Sequence, residues 1–275
     1  MGTFTATLLV VFREVLEAGL MVGIVLTVLT RLHSLQFRTP VFWGAAAAVG
    51  LSFAIAFGLH QVVRGVSGTL EIWLQGMVSF SACGVLTYMV FWIDGQCRRV
   101  HPDIERRVER AVSRGQYLTM VIIPFVAVLR EGMETVLFLH AVAIQHSHAV
   151  SWWGGILGAS AALAITGLIF IGGKKIPLLV FFRITGFFLL FVAAGLVTHG
   201  IHEFQKLGPL PLSQTAWNTS FVLSERAGLG SFLKSLLGYN AHPSILEVIV
   251  YGAYLLAISF FLKTRSRPVT VETVP

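Results

Sequence analysis

Apolar residues fall along this chain in seven long blocks, roughly 5–29, 41–62, 71–93, 118–145, 151–172, 177–200 and 245–263. A hydrocarbon layer about 30 Å thick is crossed by about 20 helical residues. Each block is long enough, so the pattern predicts an all-α polytopic membrane protein with seven transmembrane helices. Two longer polar connections interrupt the series. In the first, 94–117, Ile104, Val108, Ala111 and Val112 recur at helical spacing among arginines, which predicts a short amphipathic helix lying against anionic lipid. In the second, 201–244, Phe221, Val222, Leu223, Leu229, Phe232, Leu233, Leu236 and Leu237 suggest short helices on the membrane surface. The whole chain, 1–275, reads as one transmembrane domain.

Composition agrees. Hydrophobic residues make up 55% and charged ones only 12%, against about 25% charged in soluble proteins. The net charge of +7 does not point to nucleic acid, because the basic residues gather in connections on one side. With the N-terminus outside, thirteen of the 20 Lys and Arg fall in inside segments, four outside, and Arg13, Arg130 and Arg183 within spans. The positive-inside bias therefore predicts N-out, C-in. Two cysteines, Cys83 and Cys97, make no disulfide framework or CxxC site. The N-terminus lacks a basic n-region, so no cleaved signal is expected.

Charge inside the spans changes the picture. Arg13-Glu14-Val15-Leu16-Glu17 stands in the first block and Arg130-Glu131-Gly132-Met133-Glu134 in the fourth. Positions three and four apart share a helix face, so each Arg and its two Glu crowd together. An ionised group deep in hydrocarbon costs at least roughly 2.5–3.5 kcal/mol. Such groups must face one another or a wet cavity. A purely structural salt bridge would use one carboxylate per arginine and leave the second over, buried and unpaired. Four carboxylates against two guanidiniums carry a formal −2, a deficit that suits a cation.

The two motifs lie in antiparallel spans under the predicted orientation. A second echo links Phe42-Trp43-Gly44-Ala45, opening span 2, with Trp152-Trp153-Gly154-Gly155, opening span 5. Spans 1–3 (about 5–93) and 4–6 (about 118–200) read as an inverted repeat, followed by span 7 (about 245–263). That architecture places a substrate site near the midplane between the halves. Gly19 and Gly23, Gly154 and Gly158, Ala45–Ala48 and Ala193-Ala194-Gly195 are small-residue pairs that let helices approach.

Glu14, Glu17, Glu131 and Glu134 are the candidate metal ligands. An all-oxygen set suits Mg²⁺, Ca²⁺, Mn²⁺ or iron rather than ions held by thiolate and imidazole. Arg13 and Arg130 cannot ligate a cation. Their expected role is to hold the carboxylates in place and offset their repulsion. Met133 points at a different angle and is expected to pack. Glu71 and Gln75 at the outer start of span 3, His146 and His148 after span 4, and His199, His202 and Glu203 at the end of span 6 form a candidate entrance. Each alone is more often a solvated helix end, and His202–Glu203 is the strongest pair. Asp94, Cys97 and His101 are a weaker candidate exit.

With the Arg-Glu-x-x-Glu motifs stand Leu86-Thr-Tyr-Met-Val-Phe-Trp92, Gly200-Ile-His-Glu-Phe-Gln-Lys-Leu-Gly208 and Leu236-Leu-Gly-Tyr-Asn-Ala-His-Pro-Ser244. Together they resemble the oxidase-dependent iron permease family, in particular its bacterial EfeU-type ferrous/ferric members, over essentially the whole chain. The resemblance implies iron uptake across the cytoplasmic (inner) membrane, with the four glutamates handling iron. Iron is then the transported substrate, and no permanently bound cofactor is expected. The resemblance also implies partners that present or oxidise iron: a periplasmic iron-binding protein and a haem peroxidase, or another ferroxidase. Similar family members carry Glu where Gln75 stands, and Glu71 supplies a carboxylate one turn away. The residues alone leave open a carrier or channel for another hard divalent ion such as Mn²⁺ or Mg²⁺, and a non-transporting scaffold. An intramembrane metalloenzyme has less support, since no HExxH, no GxSxG and no nucleophile beside a base is present.

Overall fold

The computed structural model describes residues 2–65, 68–96, 100–145, 150–172, 178–208, 214–221, 230, 233–234 and 238–265. Among them are eight α-helices: α1 (Gly2–Arg31), α2 (Arg38–Arg64), α3 (Thr69–Gln96), α4 (Val100–Ser113), α5 (Tyr117–Gln145), α6 (Trp152–Gly172), α7 (Leu178–Lys206) and α8 (Ile245–Arg265). A 3₁₀ turn, Leu35–Phe37, leads into α2. No strand occurs in the described residues; Thr215 and Ser244 form an isolated bridge. In hydrocarbon every backbone N–H and C=O must be paired within its own segment, so long apolar blocks become helices.

Five of these segments are long and apolar enough to cross a membrane: Leu35–Val62, Thr69–Phe91, Trp152–Phe170, Gly186–Lys206 and Ile245–Thr264. They make the chain a multi-pass membrane protein. α1 and α5 are as long, at 30 and 29 residues, but each carries an Arg-Glu-x-x-Glu motif in its middle. Their charges turn inward while α2, α6 and α8 present large apolar side chains outward, among them Trp43, Phe53, Phe57, Trp152, Trp153, Leu256 and Phe260. Trp at a helix end suits the membrane–water boundary.

The helices interlock by exchange. α1 packs mainly on α6 and α2 mainly on α5, while α1 meets α5 and α3 meets α7. Glycines set the closest approaches. A Cβ on Gly154 would lie 2.6 Å from the Phe4 carbonyl oxygen, and one on Gly158 equally close to that of Leu8. A Cβ on Gly44 would collide with the Val121 carbonyl oxygen and lie 3.1 Å from Pro124 Cγ. Phe4 and Val121 are 117 positions apart, as are Glu14 and Glu131. The contact of the second helix in one half therefore recurs in the other at the register of the charged motifs. Gly19 and Gly23 admit Thr166 and Phe170 of α6 against α1.

α4 is the amphipathic helix expected in the basic connection, but its apolar face packs on protein, not on lipid as expected. Its Val108 and Ala111 are buried with Ile24, Val25, Val28, Leu29, Phe37, Val41 and Met120, and Arg31 Nη2 reaches Glu109 Oε1 at 2.6 Å. Gly115, at φ +59°, ends it: Gln116 N–H donates to Ala111 C=O at 2.9 Å and Gly115 N–H to Val112 C=O at 3.1 Å. This paired closure needs a left-handed residue after the helix. The sixth block was expected to stop at 200, with the outer segment starting at 201. Instead α7 continues to Lys206, so His202 and Glu203 sit on its last turns. Polar side chains there take partners of their own, and the helix can project past the apolar layer. Of the apolar positions expected on the outer face, Val222, Leu223, Leu229, Phe232, Leu236 and Leu237 lie outside the described residues. Phe221 is exposed.

Candidate metal-handling site

α1 and α5 carry their motifs to one place. Arg13, Glu14, Glu17, Glu131 and Glu134 are all buried. One carboxylate oxygen from each of Glu14, Glu131 and Glu134 lies within 4.8 Å of the others. Glu17 is not in that trio. It stands beside it, close enough to interact electrostatically with Glu134 and Arg130, and is held on its own helix by Arg13.

The arginines brace the carboxylates unequally. Arg13 is 3% exposed and spans two glutamates, Nη1 to Glu14 Oε1 at 2.6 Å and Nη2 to Glu17 Oε1 at 2.7 Å. Its Nη2 also donates to Met89 Sδ on α3 at 3.1 Å. Arg130 is 32% exposed and approaches both of its carboxylates through Nε, Glu134 Oε1 at 3.0 Å and Glu131 Oε1 at 3.8 Å. In each carboxylate of the trio one oxygen faces an arginine. The other, Oε2 of Glu14, Glu131 and Glu134, is buried without a hydrogen-bond donor. Glu17 Oε1 likewise has no hydrogen-bond donor, and buried carboxylate oxygens in this state are costly unless a proton or cation joins them. Hard oxygen ligands in this number suit a multivalent cation.

Local packing explains how α5 comes so close. Gly132, between the two glutamates, faces α2, where a Cβ would collide with Ser52 Oγ. Ser52 Oγ donates to Ala48 C=O at 2.9 Å, so its hydroxyl is satisfied within α2. Met133 was expected to pack, but it is exposed, because its helical angle carries it off the face that buries Glu131 and Glu134.

The candidate entrance divides in two. Gln75 Nε2 donates to Glu71 Oε1 at 3.1 Å on the first turns of α3. His199, His202 and Glu203 instead line a cavity of about 300 Å³ with Lys206, Asn240 and Glu247, in which Glu71 and Gln75 take no part. Phe204, between His202–Glu203 and Gln205 in α7, meets Trp73 edge-to-face and stacks on Phe80 at centroid distances of 4.9 and 5.6 Å. In the cavity Lys206 Nζ reaches Glu203 Oε1 at 2.6 Å. Glu247 accepts from Asn240 Nδ2 at 2.9 Å and from Ser244 Oγ at 3.1 Å, with His202 Nδ1 at 3.0 Å. His202 and Glu203 therefore already have partners, which ties the outer segment to α7 and α8. Cys97, His146 and His148 lie outside the described residues, as do the side chains of Asp94 and His101.

Two participants were not singled out from the sequence. Glu247, in the first turn of the last span, was visible as a charge at a span start. Met89 lay inside the quoted Leu86–Trp92 segment with no signal that its sulfur faces a guanidinium.

Residues 4–266 match the model of the iron permease FTR1 family. The chain belongs to that family. It is 36% identical over 263 residues to the ferrous iron permease EfeU of Yersinia pestis, covering 94% of this chain and 93% of that protein. It is similarly related to EfeU of Yersinia pseudotuberculosis, at 36% with 94% and 92% covered. EfeU of Escherichia coli O6:H1 is 32% identical, with 94% and 95% covered. No solved structure matches. The two Arg-Glu-x-x-Glu motifs lie on α1 and α5, and Met89 on α3 meets Arg13.

Proposed function

We propose that this protein is an iron permease of the cytoplasmic (inner) membrane, moving iron through a carboxylate site built by its two Arg-Glu-x-x-Glu motifs. The observation that carries the reading is the trio of buried, donor-free Oε2 atoms on Glu14, Glu131 and Glu134. One carboxylate oxygen from each of these glutamates stands within 4.8 Å of the others. Iron follows from membership of the iron permease family. The same ligand set admits Mn²⁺ or Mg²⁺ on chemistry alone.

In this reading α1 and α5 complete seven spans, with the N-terminus outside. The halves 5–93 and 118–200 form the inverted repeat, joined by the cytoplasmic connection 94–117; the outer connection 201–244 and the last span, 245–263, follow. The exchanged packing of α1 on α6 and α2 on α5 supports the repeat, since a two-fold relation maps one contact onto the other. So does the shared 117-residue spacing. The carboxylates replace part of the ion's hydration shell. Arg13 and Arg130 limit repulsion when no ion is bound, and the residual negative charge draws the cation in. Iron delivered by a periplasmic iron-binding protein, with a haem peroxidase or other ferroxidase setting its valence, would enter from the outer ends of α3 and α7.

The test is radiolabelled iron uptake into proteoliposomes, with valence controlled and a pH gradient present or absent. Wild-type protein should accumulate iron in preference to manganese and magnesium. Glu14→Gln, Glu131→Gln and Glu134→Gln should each abolish most uptake at equal reconstitution. Full uptake in all three variants would refute the carboxylate site. A preference for manganese or magnesium would favour the other hard-ion reading.

A further inference from the structure

We infer that Met89 on α3 is a positioning residue for the carboxylate site, acting through Arg13. Met89 belongs to neither motif and is wholly buried, in the cluster of Leu86, Val90 and Phe138. Its thioether accepts from Arg13 Nη2 at 3.1 Å, the nitrogen that also pairs with Glu17 Oε1 at 2.7 Å. A terminal guanidinium nitrogen carries two hydrogens. One goes to sulfur, so that Nη2 holds Glu17 Oε1 by charge alone, without a hydrogen bond, while Nη1 donates to Glu14. The sulfur thus sets the rotation of the guanidinium plane that keeps Glu14 and Glu17 in register.

The chemistry of the acceptor matters. Leaving a buried N–H of a charged group without a partner is costly. A carboxylate placed there would satisfy it but compete with Glu14 and Glu17 for Arg13. A thioether accepts the hydrogen bond without adding charge, so the site keeps its net negative charge for the cation. Thioether sulfur is also a poor ligand for hard cations, which separates this role from metal binding. Through the same contact α3 becomes mechanically linked to the motif on α1.

This inference rests on the carboxylate site proposed above, and the test separates the two. Met89→Leu keeps the volume and removes the acceptor. Met89→Gln offers an amide oxygen in its place. Each is purified in detergent alongside wild type, Arg13→Lys, the Met89→Leu/Arg13→Lys double and Glu134→Gln. Binding of Tb³⁺, a hard trivalent probe, is followed by luminescence, and iron uptake is measured in proteoliposomes. Met89→Leu is expected to weaken Tb³⁺ binding and raise the KM for iron by about three- to tenfold, with an unchanged melting temperature. Met89→Gln is expected to recover most of that loss. In the Arg13→Lys background Met89→Leu should add nothing. A wild-type KM and Tb³⁺ affinity in Met89→Leu would overturn the inference while leaving the carboxylate site standing. So would equal losses in Leu and Gln variants with both melting lower, which would reduce Met89 to packing. Full uptake in Glu134→Gln would overturn the site itself, and the inference with it.

Discussion

Replacing each motif arginine by lysine should separate two residues that look identical in sequence. Arg13 uses different nitrogens for its two carboxylates, at 2.6 and 2.7 Å, and is 3% exposed. A lysine ammonium is a single nitrogen and cannot occupy both places. Either the hydrogen bond to Glu14 or the ion pair with Glu17 is lost in a site that water scarcely reaches, which costs about 1.5–3 kcal/mol. That corresponds to roughly 10- to 150-fold in the population of the working arrangement. Arg130 approaches both carboxylates most closely through the same nitrogen, Nε, at 3.0 and 3.8 Å, and is 32% exposed. An ammonium can stand near that one position, and partial solvent access screens what is lost. The cost is then at most about 1 kcal/mol, roughly fivefold. The assay is initial-rate uptake of radiolabelled iron in cells lacking other iron transporters, normalised to membrane abundance by immunoblot. Arg13→Lys should lower the rate at least tenfold and Arg130→Lys about fivefold or less. Equal losses, or a larger loss at Arg130, would refute the argument that bracing through two nitrogens makes Arg13 the more demanding position.

Three further outcomes are expected. Glu17→Gln combined with Glu134→Gln should cost little more uptake than Glu134→Gln alone, because residues acting as one unit are not additive; a multiplicative loss would mean two independent sites. Gly44→Leu and Gly154→Leu should each lower thermal stability in detergent by at least about 1–3 kcal/mol, since a side chain there meets backbone. Gly50→Leu, where nothing lies within 4 Å of an added Cβ, should stay near wild type, and equal melting of all three would contradict the packing. An alkaline phosphatase fused after Pro275 should be inactive if the C-terminus is cytoplasmic; high activity would reverse the proposed orientation.

The sequence by itself determined the helices. Apolar blocks of this length have one way to satisfy their backbone in hydrocarbon, so the described helices fall where the blocks do, within a few residues except at the end of α7. The charged residues worth attention were equally legible, because an Arg and two Glu inside such a block need partners. What the linear pattern does not contain is distance between helices. The tertiary structure alone decided that Glu14 meets Glu131 and Glu134 while Glu17 stays with Arg13. It also decided that one motif arginine is sealed by Met89 while the other is partly open. The near-identical motifs differ because their surroundings do: α3 covers Arg13, and nothing in five residues of sequence records that neighbour. The outer histidines show the same limit. His202 and Glu203 looked like a pair awaiting a cation, but Lys206 pairs with Glu203 one turn on in α7, and Glu247 reaches His202 only through the way α7 and α8 pack.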